Sequence, residues 1–341
     1  MKNPRILLTT PDYPPKLGGL STFTLAIENA LKEEGIDYEL FHWQSLSELK
    51  SFSRSDFDLG LHIHFFGHHY LKNQCKEHVN FLHGSELLFT SPNFLKKVFK
   101  KITKPLFLKS LAQARHNIAI SEFTQQKIFN LGLEPDFARD LVFHNCINLK
   151  NGSHQLGDKV LSHGPLKFIC VARDVPHKNL QGCYDLCVSA AESLEREVEF
   201  YSPRDFKDHP LVKCHNISGL NDSRRNELYR ECHFNLLLSL DHSKRGFYEG
   251  FGLTVLEAAQ FGTPSIVSPH GGLPESCHHN VTGWVLPLKK KVWKQFFLKL
   301  DQSQYQRVRA QAFDHTYISH GEEHYQRLLS FLFKMERGSH R

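Results

Sequence analysis

Short apolar runs, each closed by a turn and followed by an apolar stripe at helical spacing, recur along the whole chain. Runs of this kind that do not alternate belong in sheets covered on both faces, which means parallel strands with helical crossovers. The first is Arg5–Thr10. It leads through a Pro/Gly-rich loop ending at Gly18-Gly19 into a helix with Phe23, Ala26, Ile27, Ala30 and Leu31 on one face. Gly35 suits the cap of that helix. Further strands are expected at Tyr38–His42, Gly60–Phe65, Val79–Leu82, Asn117–Ile120 and Leu141–Phe143, with Ser121 capping a helix that ends near Gly132.

Between Leu149 and Pro165 the periodicity fades into Asn, Gly, Ser, His and Lys, as in an interdomain linker. A second series then begins with Leu166–Val171. Helices at Asn179–Leu194, Asp222–Cys232 and Leu253–Phe261 alternate with strands at Val198–Tyr201, Phe234–Leu240 and Pro264–Val267, and Trp284–Leu286 suits an edge strand. The expectation is an α/β chain of two doubly wound, Rossmann-like domains, residues 1–150 and 165–315, facing a cleft. Ligands of such sheets bind beyond the carboxyl ends of the strands, so the loops after strands are where function is sought.

A chain of 341 residues, 40% apolar and 23% charged, can build both cores. It holds no run of roughly 18 uncharged apolar residues such as a membrane span needs. The apolar run at Ile6-Leu7-Leu8 is too short for a signal peptide and reads as a buried strand. Eight scattered cysteines with no C-x-x-C pair read as reduced, buried thiols, which points to the cytoplasm.

The net charge of +6 matters less than its placement. From Phe94 to Lys109 there are six lysines and no acidic residue, with Leu95, Val98, Phe99 and Ile102 at helical spacing. Pro105 is expected to kink or end this helix. Two readings stand side by side: a basic amphipathic helix on an anionic membrane surface, or a solvated lysine face above a packed apolar stripe. Nucleic acid is not expected as a partner, because no aromatic-basic recognition motif accompanies the patch.

The most informative segment is Tyr248-Glu249-Gly250-Phe251-Gly252-Leu253-Thr254-Val255-Leu256-Glu257-Ala258, which follows a strand and opens a helix. Its glycines let backbone N–H groups approach a ligand, and a helix start offers unpaired donors to a diphosphate. Glu249 and Glu257 can each accept hydrogen bonds from hydroxyls, one set on a sugar and the other on a ribose.

Glu249 and Glu257 form an E-x7-E signature, and the segment resembles the retaining GT-B glycosyltransferases of glycosyltransferase family 4 (glycosyl transferases group 1). Pro14-Pro15-Lys16-Leu17-Gly18-Gly19, His83-Gly84-Ser85-Glu86, Ile120-Ser121-Glu122-Phe123, Arg173 through Asn179, Gly271-Gly272-Leu273-Pro274-Glu275 and Thr282-Gly283 match in the same order. The resemblance implies a GT-B fold and transfer of a hexose-type sugar from a nucleotide-diphosphate sugar, without a metal or other cofactor. Arg173 and Lys178 then neutralise the donor diphosphate, Gly18, Gly19, Gly250, Phe251, Gly252 and Leu253 line it, and Glu257 holds the ribose. Glu249 lies nearer the transferred sugar, and His83 contacts that sugar or places the acceptor. The resemblance also suggests that a C-terminal helix, within 316–341 and with Tyr325, Leu328, Leu329, Phe331 and Leu332 on its apolar face, packs back on the first domain. Two departures from the family pattern are Ala172, where a glycine is common, and the stretch Asp241–Phe247, which lengthens the approach to Glu249.

Asp56-Phe57-Asp58 has the D-x-D form of metal-dependent transferases but reads as a strand entry. His62 and His64 point to one face of a strand, which gives either a metal site or, for His64, the acceptor side of the cleft. The function expected is therefore a retaining hexosyltransferase of cell-envelope polysaccharide or lipopolysaccharide synthesis, acting on a glycan or lipid-linked acceptor. It is expected in the cytoplasm or at the inner face of the membrane. The alternatives are a sugar-nucleotide epimerase or hydrolase of the same fold, and a silent nucleotide-sugar-binding module.

Overall fold

The computed structural model describes residues 4–15, 18–132, 136, 139–147, 156–162 and 164–338. They fall into two compact units. One takes the described residues of Met1–Asn148, Ser243–Gly250 and Gly321–Arg341, and the other those of Leu149–His242 and Phe251–His320.

The first unit is a six-stranded parallel sheet of β1 (Ile6–Thr10), β2 (Tyr38–His42), β3 (Phe57–His62), β4 (Cys75–Leu82), β5 (His116–Ala119) and β6 (Asp140–Val142). Its order is β2-β1-β3-β4-β5-β6, so the connections reverse direction between β1 and β3. Crossovers run through α1 (Gly19–Glu33), α2 (Leu46–Ser51), α3 (Phe65–Tyr70), α4 (Phe94–Gln113) and α5 (Glu122–Phe129). Ile6, Leu8, Leu61 and Phe81 of the strands close on Phe23 and Ile27 of α1, and on Tyr325, Leu328, Leu329 and Leu332 of the last helix, Glu322–Gly338. Phe331, expected on that apolar face, is 40% exposed instead.

Several local expectations are corrected here. The strand expected at Gly60–Phe65 ends at His62, and Phe65 opens α3. His64 therefore lies outside the strand, where its ring accepts from the Phe66 amide as the α3 cap. Of the two outcomes expected at Pro105, a kink or an end, the end does not occur: the helix runs on to Gln113. The residue is exposed, so the carbonyl that loses its N–H partner can turn to water. The apolar stripe of α4 is not packed: Phe94, Leu95 and Ile102 are 74%, 76% and 68% exposed. The helix seats itself through Thr103, Phe107, Ser110 and Leu111 instead.

The second unit is also a six-stranded parallel sheet, built from β7 (Leu166–Ile169), β8 (Val198–Ser202), β9 (Val212–Asn216), β10 (Phe234–Leu237), β11 (Ser265–Val267) and β12 (Gly283–Val285). Its order, β12-β11-β10-β7-β8-β9, is the Rossmann order, with the reversal between β7 and β10. The helices are α6 (Leu180–Leu194), α7 (Asp222–Glu231), α8 (Leu253–Ala259), α9 (Leu273–Ser276), α10 (Lys290–Lys299) and α11 (Gln302–His320), followed by the last helix, α12. Residues 316–320 complete α11, and Gly321 separates it from α12.

Residues 149–155 and 163 of the expected linker lie outside the described residues. The described remainder is fixed rather than loose. Lys159 is buried, and its ammonium donates to the carbonyls of Tyr229 and Cys232 at the end of α7. All eight cysteines are free thiols, seven of them buried.

The histidine cluster of the first unit is a buried polar network. His62 shares hydrogen bonds with Thr9 (2.9 Å) and with His78 (3.0 Å), while His68 bonds Asn80 (3.2 Å) and stacks on His78. No group of three or more His, Cys, Asp or Glu among the described residues is arranged to hold a metal ion. Burial drives His62 well below the ordinary imidazole range, His64 down to about 4 and His68 down to about 3. The unfolded chain takes up protons on these rings below about pH 6.5, while the folded chain does not. Stability is therefore full above about pH 6.5 and falls as pH drops towards 3, by up to about 1.4 kcal/mol per ring and pH unit. The melting temperature should fall between pH 7 and pH 5, and His68→Asn should flatten that slope; a slope unchanged by the substitution would count against a buried neutral ring.

Candidate functional site

The two loops of the second unit that carry candidate residues leave neighbouring strands. β7 and β10 pair in parallel, Phe234 opposite Phe168 and Asn235 opposite Ile169, so the loops that follow them emerge side by side at the carboxyl ends. The first of these carries Arg173, exposed, and Lys178, half-buried in a short 3-10 turn at Pro176–Lys178. Two hydrogen bonds lace it to its neighbour. The Leu240 amide donates to the His177 carbonyl at 2.7 Å, and the Asn179 side chain donates to the Leu238 carbonyl at 3.0 Å.

Asn179 makes this possible from a left-handed backbone (φ 52°, ψ 48°) while its side-chain Oδ1 caps α6 by accepting from the Gly182 amide. An αL conformation is tolerable for Asn, because its short polar side chain bonds locally.

The loop after β10 ends at Gly252, the cap of α8, with φ +97°. A Cβ here would meet Leu273 at 2.7 Å and Leu237 at 3.2 Å, so only glycine lets the turn settle on the start of α9. The Gly271–Glu275 segment thus meets the same corner. α8 begins at Leu253 directly beyond this turn. In its first turn the buried Thr254 hydroxyl has no hydrogen-bond partner among the described residues. Phe251 is buried with its ring beside His320, which leaves its backbone as the part it can offer.

Glu257 sits one turn further along α8, half-buried. Burial raises its carboxyl above the usual carboxylate range, Arg225 opposes that, and Asp222 adds to it. Arg225 and Thr254 were not singled out in the sequence. Arg225 lies in a charge-rich helix whose spacing reads as a solvated face, and Thr254 reads as an ordinary helix residue within the motif.

His83, Glu249 and Gly250 belong to the first unit. His83 follows β4, and its amide and that of Gly84 are gathered by the Glu86 carboxylate. Its ring meets Phe23 edge-on at 4.7 Å, and burial pushes its pKa down to about 3, so it is a neutral imidazole at pH 7. The buried Nε2 has no hydrogen-bond partner among the described residues.

Tyr248 lies over Gly84, where a Cβ would come within 2.6 Å of its hydroxyl, and packs edge-on against Phe123. Gly250 approaches the His83 carbonyl, which a Cβ would meet at 2.7 Å. Glu249, half-buried, lies between these two anchored neighbours. The signature is thus divided: Glu249 and Gly250 belong to the same unit as His83, and Gly252, Leu253 and Glu257 to the same unit as Arg173 and Lys178.

Gly18 and Gly19 start α1, as cap and first residue. The Gly18 N–H, expected to face a phosphate, donates to the Ser21 hydroxyl at 2.8 Å instead. The serine closes the first turn of the helix on itself and uses that donor. Lys16 and Leu17 of the same motif lie outside the described residues.

Comparison with known proteins fits this geometry. Residues 207–303 match the family model described as Glycosyl transferases group 1. The chain is 25% identical over 240 residues to the amylovoran biosynthesis glycosyltransferase AmsK of Erwinia amylovora, an alignment of 66% of this chain and 56% of that relative. Among solved structures, Anabaena Alr3699/HepE in complex with UDP superposes with a TM-score of 0.69 at 15% identity, over 97% of this chain and all of that one. Sucrose-phosphate synthase from Thermosynechococcus elongatus gives 0.71 at 13% identity, over 99% and 100%. The fold is GT-B. Two parallel six-stranded sheets with helices carry it, as the two strand series in the sequence require.

The lacing residue offers a direct test of this corner. Asn179→Ala removes the cap and the bond to Leu238 and places alanine in a left-handed conformation, which should cost about 1–3 kcal/mol. Asn179→Gly loses the same bonds without the conformational strain and should be less destabilised in a urea titration. Equal losses would show that backbone conformation is not part of the cost.

Proposed function

We propose that this chain is a retaining glycosyltransferase of family 4 type, whose second unit binds the diphosphate of a nucleotide sugar at the corner made by the loops after β7 and β10. One observation carries this reading. In a Rossmann-ordered sheet those two loops flank the reversal point, and hydrogen bonds hold the Arg173–Asn179 segment to the loop that opens α8. Anions are favoured at a helix start, and cationic side chains on an adjoining fixed loop add to that preference. The family match over residues 207–303 covers α8 and the Gly271–Glu275 segment and supports the same reading.

Charge governs the chemistry. Departure of a nucleoside diphosphate leaves negative charge on the leaving oxygen, and Arg173 and Lys178 stabilise it from fixed positions with no call on a metal ion. Glu257 receives the ribose hydroxyls, Glu249 the transferred sugar, and neutral His83 the sugar or the acceptor hydroxyl. The leaving phosphate takes the acceptor proton. The UDP in the Anabaena neighbour makes uridine-diphosphate hexoses the first donors to test. The proposed acceptor is a glycan or lipid-linked glycan of envelope polysaccharide or lipopolysaccharide synthesis, met at the cytoplasmic side of a membrane; the amylovoran biosynthesis relative supports the polysaccharide part of this reading.

Incubation with a panel of nucleotide sugars and candidate acceptors, read by mass spectrometry of products, tests the assignment. Lys178→Ala should lower kcat by about 10²–10³ while leaving the fold intact by circular dichroism. Wild-type turnover in that variant would overturn the role given to Lys178. Donor conversion at the same rate with and without acceptor would favour an epimerase or hydrolase, and binding without turnover a silent module.

A further inference from the structure

The exposed half of α4 and the loop Ser243–Phe247 form one surface. The Thr90 hydroxyl donates to the Lys244 carbonyl at 3.4 Å, and Gly246 lies so close to the Thr90 carbonyl that a Cβ would meet it at 2.5 Å. Gly246 has φ +87°, so the tight turn over Thr90 is one that glycine alone adopts readily. This seats Lys244, Arg245 and Phe247, all exposed, beside the segment that leads into α4. Asn93 caps that helix by accepting from the Lys96 amide.

From Phe94 to Ile102 no residue of α4 is fully buried. Helical spacing puts Phe94, Leu95, Val98 and Ile102 on a single arc, with Lys97 and Lys101 along one border and Lys96 beyond the other. Lys96, Lys97 and Lys101 are exposed, whereas Lys100 turns inward to the Leu88 carbonyl and Lys104 lies over the Phe89 ring. Between Glu86 and Glu122 the sequence holds no acidic residue.

We infer that this surface docks the protein on a bilayer bearing anionic headgroups. No helix among the described residues is long and apolar enough to cross a membrane, so the contact is interfacial. An amphipathic helix end of this kind sinks its apolar arc to the acyl boundary while its lysines reach back to the headgroup phosphates. The loop Ser243–Phe247 adds two cations and an aromatic ring at the same level. That loop lies within Asp241–Phe247, the stretch that lengthens the approach to Glu249, so docking fixes the chain directly before Tyr248-Glu249-Gly250. Nucleic acid would answer the lysines but leave Phe94, Leu95 and Ile102 in water, and an uncharged apolar partner would leave the lysines unmatched. The inference rests on exposure and charge and is independent of the transferase reading.

The test is co-sedimentation of the full chain, without donor or acceptor, with vesicles of phosphatidylcholine alone or mixed with phosphatidylglycerol. Binding is expected with the anionic vesicles only and should weaken as salt is raised. Lys97→Glu with Lys101→Glu, Leu95→Glu with Ile102→Glu, and Lys244→Glu with Arg245→Glu should each weaken it by about tenfold or more. All six positions are exposed, so circular dichroism should match that of the unsubstituted chain. No binding to anionic vesicles, or binding unaffected by all three double substitutions, would overturn the inference. So would a dimer in sedimentation equilibrium that Leu95→Glu with Ile102→Glu abolishes, since the surface would then belong to a second copy. Nucleotide-dependent thermal shift of the same preparations reports the diphosphate site separately.

Discussion

Two hydrogen bonds between neighbouring loops, Leu240 to His177 and Asn179 to Leu238, hold the corner of the second unit on which the proposed site rests. They are possible because β7 and β10 lie next to each other in parallel, and that adjacency arises where the connections of the sheet reverse. At any other pair of strands a crossover helix would fill the space between successive loops. Three segments meet at this corner: the cationic turn after β7, the glycine turn after β10, and the start of α9. Gly252 is the joint, since a side chain at that position would collide with Leu273 and Leu237.

The strand series and the signature were legible because both are written in local chemistry. Buried parallel strands such as Leu166–Ile169 read as apolar runs, and caps such as Ser121 and Asn179 stand directly before the helices they start. Elements held by long-range packing were not legible. β9 alternates Val, Lys, Cys, His and Asn at a sheet edge, so no apolar run marks it. α10 buries only Trp293 and Phe297 among lysines. The fate of the α4 stripe was equally hidden: its spacing shows an apolar arc, and only the fold shows that no described residue of its own unit covers it.

The candidate residues divided along a line that the sequence does not draw. Glu249 and Glu257 look like one motif, yet Tyr248 and Gly250 tie the first to the loops after β4 and β5, while the second belongs to a helix seated on β10. Gly18 shows the converse limit. A glycine pair after a first strand suggests a phosphate contact, but a serine three residues on takes the amide into the helix cap. A motif names donors, whereas the surrounding hydrogen bonds decide which of them remain available.

Backbone hydrogen exchange with and without a nucleoside diphosphate tests the central claim most directly, because a diphosphate bound as proposed would engage amides at the start of α8 and quieten the loop beside it. Slowed exchange is predicted in peptides covering residues 173–179 and 251–256, with the edge strands β9 and β12 unchanged. Protection confined to other peptides, or none at these two segments at a saturating concentration of nucleotide, would contradict it.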